Sequence, residues 1–241
     1  MTKALRFEKY GPPSVLSIQE LQVPDLEPGQ ALVELHAAAI NPSDVKNVAG
    51  VFKASLPRIP GRDFAGVVVV GDGWKGKEVW GSGAGFGVSR DGTHAQYIVV
   101  SSDGLSEKPA CLSMEEASAV GVPYLAAWSG LVDVADIQAG ETVLITGALG
   151  AVGRAATQIA HWRKARVIGA DISDKPSDVD VLKLTGPAIA KIMDELRAGF
   201  ESSYLRTSPI QSWSLDHAID AYAAVEKGTT LDKHVFLPRR S

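Results

Sequence analysis

Along residues 1–110 apolar and polar positions alternate in short runs, broken repeatedly by glycine and proline. The breaks fall at Gly11-Pro12-Pro13, Glu27-Pro28-Gly29, Gly71-Asp72-Gly73 and Asp91-Gly92. Period-two alternation between such breaks predicts half-buried strands, here over 4–7, 15–21, 31–40, 66–70, 94–100 and 105–108, as in a small barrel. One short helix is expected from Asn41 or Ser43 to Gly50. Near residue 112 the pattern changes. Ser113 and Glu116 form a capping box, in which each side chain satisfies the other residue's free amide. A helix should follow, divided by Gly121 and Pro123 from a second that runs to about Val134. The β-branched run 141–146 suits a buried parallel strand. Val152, Ala155, Ala156, Ile159 and Ala160 then recur at helical spacing over 151–163, and 166–170 reads as a second buried strand. Two amphipathic helices, 188–200 and 215–227, and a closing strand at 234–238 complete a chain of α/β plus β class.

The β-α-β unit carries Gly147-Ala148-Leu149-Gly150-Ala151-Val152-Gly153 between its strand and its helix. In such a turn the first glycine permits the tight exit from the strand and the second admits a pyrophosphate to the backbone. The third lets the helix pack close to the sheet. The helix then presents its free amides and positive dipole end to the phosphates. Glycine is also what any tight β-α turn requires, so the pattern gains its force from its place after a strand and before a helix. Asp171 adds to it, standing 18 residues beyond Gly153 at the end of the next strand. An acid there accepts hydrogen bonds from ribose hydroxyls and repels a 2′-phosphate, which favours NAD; Ser173 and Lys175 just beyond are placed to hold a 2′-phosphate instead. Nucleotide contacts are thus expected from Gly147, Ala148, Gly150, Ala151, Val152, Gly153, Asp171, Ser173 and Lys175.

Charge and cysteine content narrow the partners. With 24 basic and 28 acidic residues the net charge is −4, spread without long runs, which gives no electrostatic reason to expect nucleic acid or an anionic membrane. No apolar run approaches the ~20 residues that span a bilayer, and the first residues lack an apolar signal core, so a soluble cytoplasmic protein is expected. Cys111 is the sole cysteine, which excludes an intramolecular disulfide and any multi-thiolate zinc site within the chain. The five histidines are scattered without ligand spacing and read as surface or packing residues.

The segments Ala37-Ala38-Ala39-Ile40-Asn41-Pro42-Ser43-Asp44-Val45-Lys46 and Pro57-Arg58-Ile59-Pro60-Gly61-Arg62-Asp63-Phe64-Ala65-Gly66 resemble the medium-chain dehydrogenase/reductase superfamily. Its zinc-independent quinone and enone oxidoreductase branch is also matched by residues 121–128, the glycine loop and residues 233–238. The resemblance implies a GroES-like barrel from 1–122 plus 201–241, with a Rossmann-type domain at 123–200 inserted between them. Zinc-dependent relatives carry cysteine at the place of Asn41 and Gly-His-Glu at the place of Gly61-Arg62-Asp63, so the resemblance implies a chain without zinc. It implies hydride transfer from NAD(P)H to a quinone or an electrophilic carbonyl compound. Asn41 and Asp44 become the catalytic candidates, with Lys46, Arg62 and Tyr124 along the substrate cleft. Asn41 and Asp44 also suit a turn and a helix cap, and Tyr124 also suits a core.

Length is the difficulty. Seventy residues follow Asp171, and those from 204 onward match the return to the barrel. A further β-α-β crossover takes about 30 residues or more, so the second half of the nucleotide-binding sheet does not fit. The seam is expected in residues 176–180. Two readings follow: an oxidoreductase whose shortened sheet weakens cofactor binding and catalysis, or a non-catalytic binding or oligomerising protein of the same descent. Exposed sheet edges favour a homo-oligomer in either case.

Overall fold

The computed structural model describes residues 1–23, 25–171, 186–228 and 230–239. Strands β1 (Thr2–Arg6) and β2 (Ser17–Leu21) form an antiparallel pair. The larger sheet is built around β3 (Gln30–Ala39), which is long enough to serve several neighbours. β4 (Phe64–Val70) pairs along one side of it, while β6 (Tyr97–Ser101) and β11 (Lys233–Phe236) share the other. β5 (Glu78–Gly81) and β7 (Ser106–Glu107) extend the sheet beyond β4, and β10 (Ile210–Trp213) lies parallel to β11 at the opposite end. Residues near the end of the chain therefore complete a sheet begun near its start. The alternation of β3 buries Ala31, Val33 and Leu35 on a core shared with Phe64, Val68, Val79 and Ile98, while Ala37 and Ala39 pack with Ala119 and Val235.

Helix α1 (Pro42–Val48) begins directly after β3 with Asn41 as its cap. α2 (Met114–Ser118) starts from the expected capping box: Ser113 Oγ accepts from the Glu116 amide at 3.1 Å, and Glu116 accepts from the Ser113 amide at 2.9 Å. α3 (Gly121–Trp128) keeps Pro123 inside its first turn, where proline is tolerated because first-turn amides have no intrahelical acceptor. The break before Gly121 and Pro123 thus divides α2 from a second helical stretch, which continues through residues 129–134 as expected.

The nucleotide-type unit is β8 (Thr142–Thr146), α4 (Ala151–Trp162) and β9 (Arg166–Ala170), with the strands parallel and in register. Among the described residues this sheet has two strands. Val143, Ile145 and Val167 turn toward α3 and α4. On the opposite face Leu144 is 62% and Ile168 53% exposed. A complete Rossmann sheet buries both faces. Here one face is bare of described structure.

α5 (Gly186–Glu201) packs Ile189, Ile192, Met193, Leu196 and Phe200 into the same core as Trp80, Tyr124, Leu125 and Ile159. The barrel sheet and the β-α-β unit are thus joined through one continuous apolar cluster. α6 (Ala218–Lys227) places Ala218, Ala221 and Tyr222 against Leu5, Phe7, Ile40 and Phe236.

Candidate active site and glycine loop

The glycine loop has the geometry its spacing predicts. Gly147 lies at φ +67°, which only glycine adopts freely. A β-carbon on Gly153 would stand 2.0 Å from the Gly147 carbonyl oxygen, so helix and loop approach as closely as backbone allows. Gly150 caps α4 in extended conformation, no side chain caps the helix and its first turn carries no acid. The leading amides of α4, with Ala151 and Val152 first, are left for an outside acceptor. These features fit the phosphates of a dinucleotide.

Asp171 stands beside the loop. Its Oδ2 accepts from the Leu149 amide at 2.9 Å, so the carboxylate clasps the glycine turn to the end of β9. The Ala148 amide donates to the Ala170 carbonyl at 3.1 Å in the same clasp. Ser173 and Lys175 lie outside the described residues, as does the expected seam at 176–180.

A second cluster lies where α1, β4 and β11 converge. Asn41, Asp44 and Arg62 are each about 1–2% exposed and Asp63 is fully buried. Asp44 Oδ2 accepts from the Asn41 amide at 2.8 Å, and Asp44 Oδ1 from Arg62 Nη1 at 2.9 Å. Arg62 also donates to Ser43 Oγ, and its guanidinium lies 5.3 Å from the centre of the Phe52 ring. Asn41 Nδ2 donates to Asp63 Oδ2 at 2.8 Å, while Asn41 Oδ1 accepts from Lys233 Nζ. Asp63 Oδ1 takes the Ser82 hydroxyl and the Val122 amide, the latter at 3.0 Å. Gly121 makes that approach possible, since a β-carbon there would stand 2.3 Å from Asp63 Oδ1.

Burial pushes the Asp63 carboxyl above its ordinary range and the Lys233 ammonium below its own. Each shift favours the uncharged form, and the attraction between the two groups opposes both. His94 lies behind this cluster. Its Nε2 is 3.1 Å from the Ala39 carbonyl and so donates to it, leaving Nδ1 to accept from the Tyr222 hydroxyl at 2.9 Å. Burial lowers the His94 pKa, which keeps the imidazole neutral.

The cleft candidates therefore separate. Asn41, Asp44 and Arg62 are interior residues tied to one another: Asn41 and Asp44 form the turn and helix cap that their types suit, and Arg62 is buried against Asp44 and not open along a cleft. Lys46 is half-buried on the last turn of α1. Tyr124 borders a cavity of about 490 Å³ shared with Ala151, Arg154, Gln158, Ser203, Tyr204 and residues 206–209. Its hydroxyl donates to the Arg206 carbonyl at 2.5 Å and accepts from Gln158 at 3.0 Å, and burial pushes its pKa up to about 12. Sequence reasoning missed Asp63, Ser82, Lys233 and Tyr222 as members of the buried network. Asp63, next to Arg62 in a quoted motif, and Lys233, at the start of the matched segment 233–238, gave the signals that could have found them.

No group of three or more histidine, cysteine, aspartate or glutamate side chains arranged for a metal ion occurs among the described residues. Likewise, no helix among them is long and apolar enough to cross a membrane.

Comparison with known proteins agrees with this architecture. Residues 27–110 match the alcohol dehydrogenase GroES-like domain. The chain is 39% identical over 197 residues to a zinc-type alcohol dehydrogenase-like protein, C337.11, of Schizosaccharomyces pombe, covering 80% of this chain and 59% of that protein. It is 34% identical over 177 residues to the quinone oxidoreductase of Pongo abelii, covering 70% and 52%. The chain thus spans just over half the length of these curated relatives. A crystal structure of an alcohol dehydrogenase superfamily protein from Novosphingobium aromaticivorans superposes with a TM-score of 0.87 at 25% identity, covering 99% of this chain and 100% of that one.

Proposed function

Since the chain belongs to the medium-chain dehydrogenase/reductase superfamily, among its quinone oxidoreductase-like members, we propose that it is an NAD(P)H-dependent oxidoreductase acting on quinones, enones or similar electrophilic carbonyl compounds without zinc. The observation that carries this reading is the uncapped first turn of α4 behind a glycine loop closed to backbone contact. Gly147, Ala148, Gly150, Ala151, Val152 and Gly153 would hold the pyrophosphate through the backbone, and Asp171 the adenine ribose. Ser173 and Lys175 complete the proposed nucleotide set.

The dinucleotide, when bound, supplies the hydride. Everything else asked of the protein is orientation and exclusion of water. Asn41 and Asp44 act in this reading by holding α1 and the end of β3 in place, because their polar atoms are already engaged. Arg62 fixes Asp44, and Lys46 and Tyr124 stand nearer the substrate. Zinc independence is supported by the residues at that place, where Asn41 and Arg62 stand and the carboxylates of Asp44 and Asp63 are already engaged by Arg62, Asn41 and Ser82. The proposed organisation keeps the barrel at 1–122 and 201–241 and the nucleotide unit at 123–200.

Because the described sheet has only two strands, the wall that normally supports the nicotinamide is reduced, and binding and turnover should both be weak. A second reading, a non-catalytic oligomerising protein, is favoured by the exposed Leu144 and Ile168 on the bare sheet face. A cytoplasmic homo-oligomer suits both readings.

Titration of the purified protein with NADH and with NADPH, followed by tryptophan quenching, tests the proposal. Saturable binding in the micromolar to low millimolar range is expected, with Asp171→Asn narrowing any preference for NADH. Absence of binding by either nucleotide throughout that range would overturn the oxidoreductase reading and leave the second.

A further inference from the structure

The cavity beside α4 concentrates positive charge in a way the glycine loop does not require. Its lining begins at Ala151, the first residue of α4, and includes two arginines, Arg154 and Arg206. Arg154 closes the first turn of that helix, where a cation is disfavoured because it adds to the positive end of the helix dipole. Its Nη2 donates to the Leu231 carbonyl at 2.8 Å, and its buried Nε has no partner among the described residues. The Arg206 guanidinium makes no hydrogen bond or ion pair among them either, although the Arg206 backbone is firmly held by Gln158 and Tyr124.

The lining contains no carboxylate. Glu116, the acid beyond Thr207, is engaged by the Ser113 amide and, at 3.4 Å, by the Thr207 hydroxyl. Ser203 and Ser208 add hydroxyl donors, and Tyr204 at the rim is 61% exposed. The floor is rigid: Gln158 Oε1 accepts from the Arg206 amide at 2.7 Å, and its Nε2 donates to the Tyr124 hydroxyl.

Two guanidinium groups, two serine hydroxyls and an exposed aromatic face, with no acid in the lining, make a recognition site for a planar anion. We propose that this cavity binds a small unsaturated or aromatic molecule bearing a phosphate or carboxylate, the acidic group held between Arg154 and Arg206 and the planar body against Tyr204. As a statement about substrate class the inference rests on the oxidoreductase reading, since the cavity opens beside the loop proposed to hold the hydride donor. As a statement about binding it stands alone.

Isothermal titration with phenyl phosphate as probe and phenol as its neutral counterpart separates the two. The wild-type protein should bind phenyl phosphate saturably and phenol at least tenfold more weakly. Arg206→Gln, at an exposed position, should weaken phenyl phosphate roughly tenfold or more while leaving NADH affinity unchanged, as expected for one charge-assisted hydrogen bond. Arg154→Gln should do the same to phenyl phosphate, with Arg154→Lys restoring part of it. Equal affinity for phenol, or phenyl phosphate binding unaffected by Arg206→Gln because the phosphate sits in the glycine loop, overturns the proposal. Phenyl phosphate binding without any nucleotide binding would leave the anion site standing and remove the oxidoreductase reading; nucleotide binding without phenyl phosphate binding would do the reverse.

Discussion

Replacing Lys233 by methionine keeps the length and most of the volume of the side chain and removes only its ammonium. The loss is felt at two acceptors. Asn41 Oδ1 loses its donor, and Asp63, fully buried, loses the cation that offsets its charge through Asn41. Removing one partner of a buried charged set costs about 3–5 kcal/mol, mostly because the remaining charge stays buried without compensation. Asp63→Asn alone should cost a comparable amount, since it leaves the Lys233 ammonium buried and turns an amide toward the Asn41 amide. Together the two changes remove both charges. Asn41 is then free to turn its side chain so that its oxygen accepts from the new amide. The double variant should therefore lose less than the sum of the single variants, by more than about 1 kcal/mol of coupling. Urea unfolding monitored by circular dichroism measures all four proteins. For a chain of this size the single variants should also lower the Tm by on the order of 10 °C. Strict additivity in the cycle, or a Lys233→Met protein as stable as the parent, would refute the idea that these residues form one electrostatic unit.

The buried His94 gives stability a pH dependence of definite sign. Its folded pKa is lowered from 6.5, so below pH 6.5 the unfolded chain takes up a proton that the native state refuses. Stability should fall as pH drops from 6.5 toward the folded pKa, by up to about 1.4 kcal/mol per pH unit, and this group contributes no slope above it. His234, shifted the same way, adds to the trend; urea midpoints at pH 7.5, 6.5 and 5.5 should show a smaller slope for His94→Gln, and an equal slope would count against the assignment. In the glycine loop, Gly153→Ala places its β-carbon 2.0 Å from one backbone atom and 2.7 Å from another. It should cost about 1–3 kcal/mol and abolish dinucleotide binding. Gly150→Ala, whose nearest contact is 3.3 Å at an ordinary φ of −68°, should be nearly silent in stability; equal effects of the two would show that close packing does not shape the loop.

Much of this molecule was legible one segment at a time. Alternation and glycine or proline breaks located most barrel strands, and Ser113 with Glu116 located the start of α2 because both halves of a capping box lie within four residues. β5 and β10 escaped, being four residues each and lacking a clean alternation. Their pairing is supplied by β4 and β11. The glycine loop and Asp171 were readable together because the sheet geometry that joins them is repeated in every β-α-β unit, although the clasp on the Leu149 amide was not. The buried network was hardly visible at all. Asn41 and Lys233 are 192 residues apart, and Tyr222 meets His94 across 128.

The sequence by itself determined the local conformations, the α/β plus β character and the phosphate-type turn, because each depends on steric and hydrogen-bonding preferences within a short window. Only the tertiary structure decided that Asn41, Asp44 and Arg62 would face inward, that α5 would join barrel and β-α-β unit in one core, and that Arg154 and Arg206 would line one cavity. Those outcomes follow from closing the chain on itself. A polar group is committed to an interior partner or to an outside ligand only when desolvation and distant neighbours have been set against each other, and no local pattern carries that comparison.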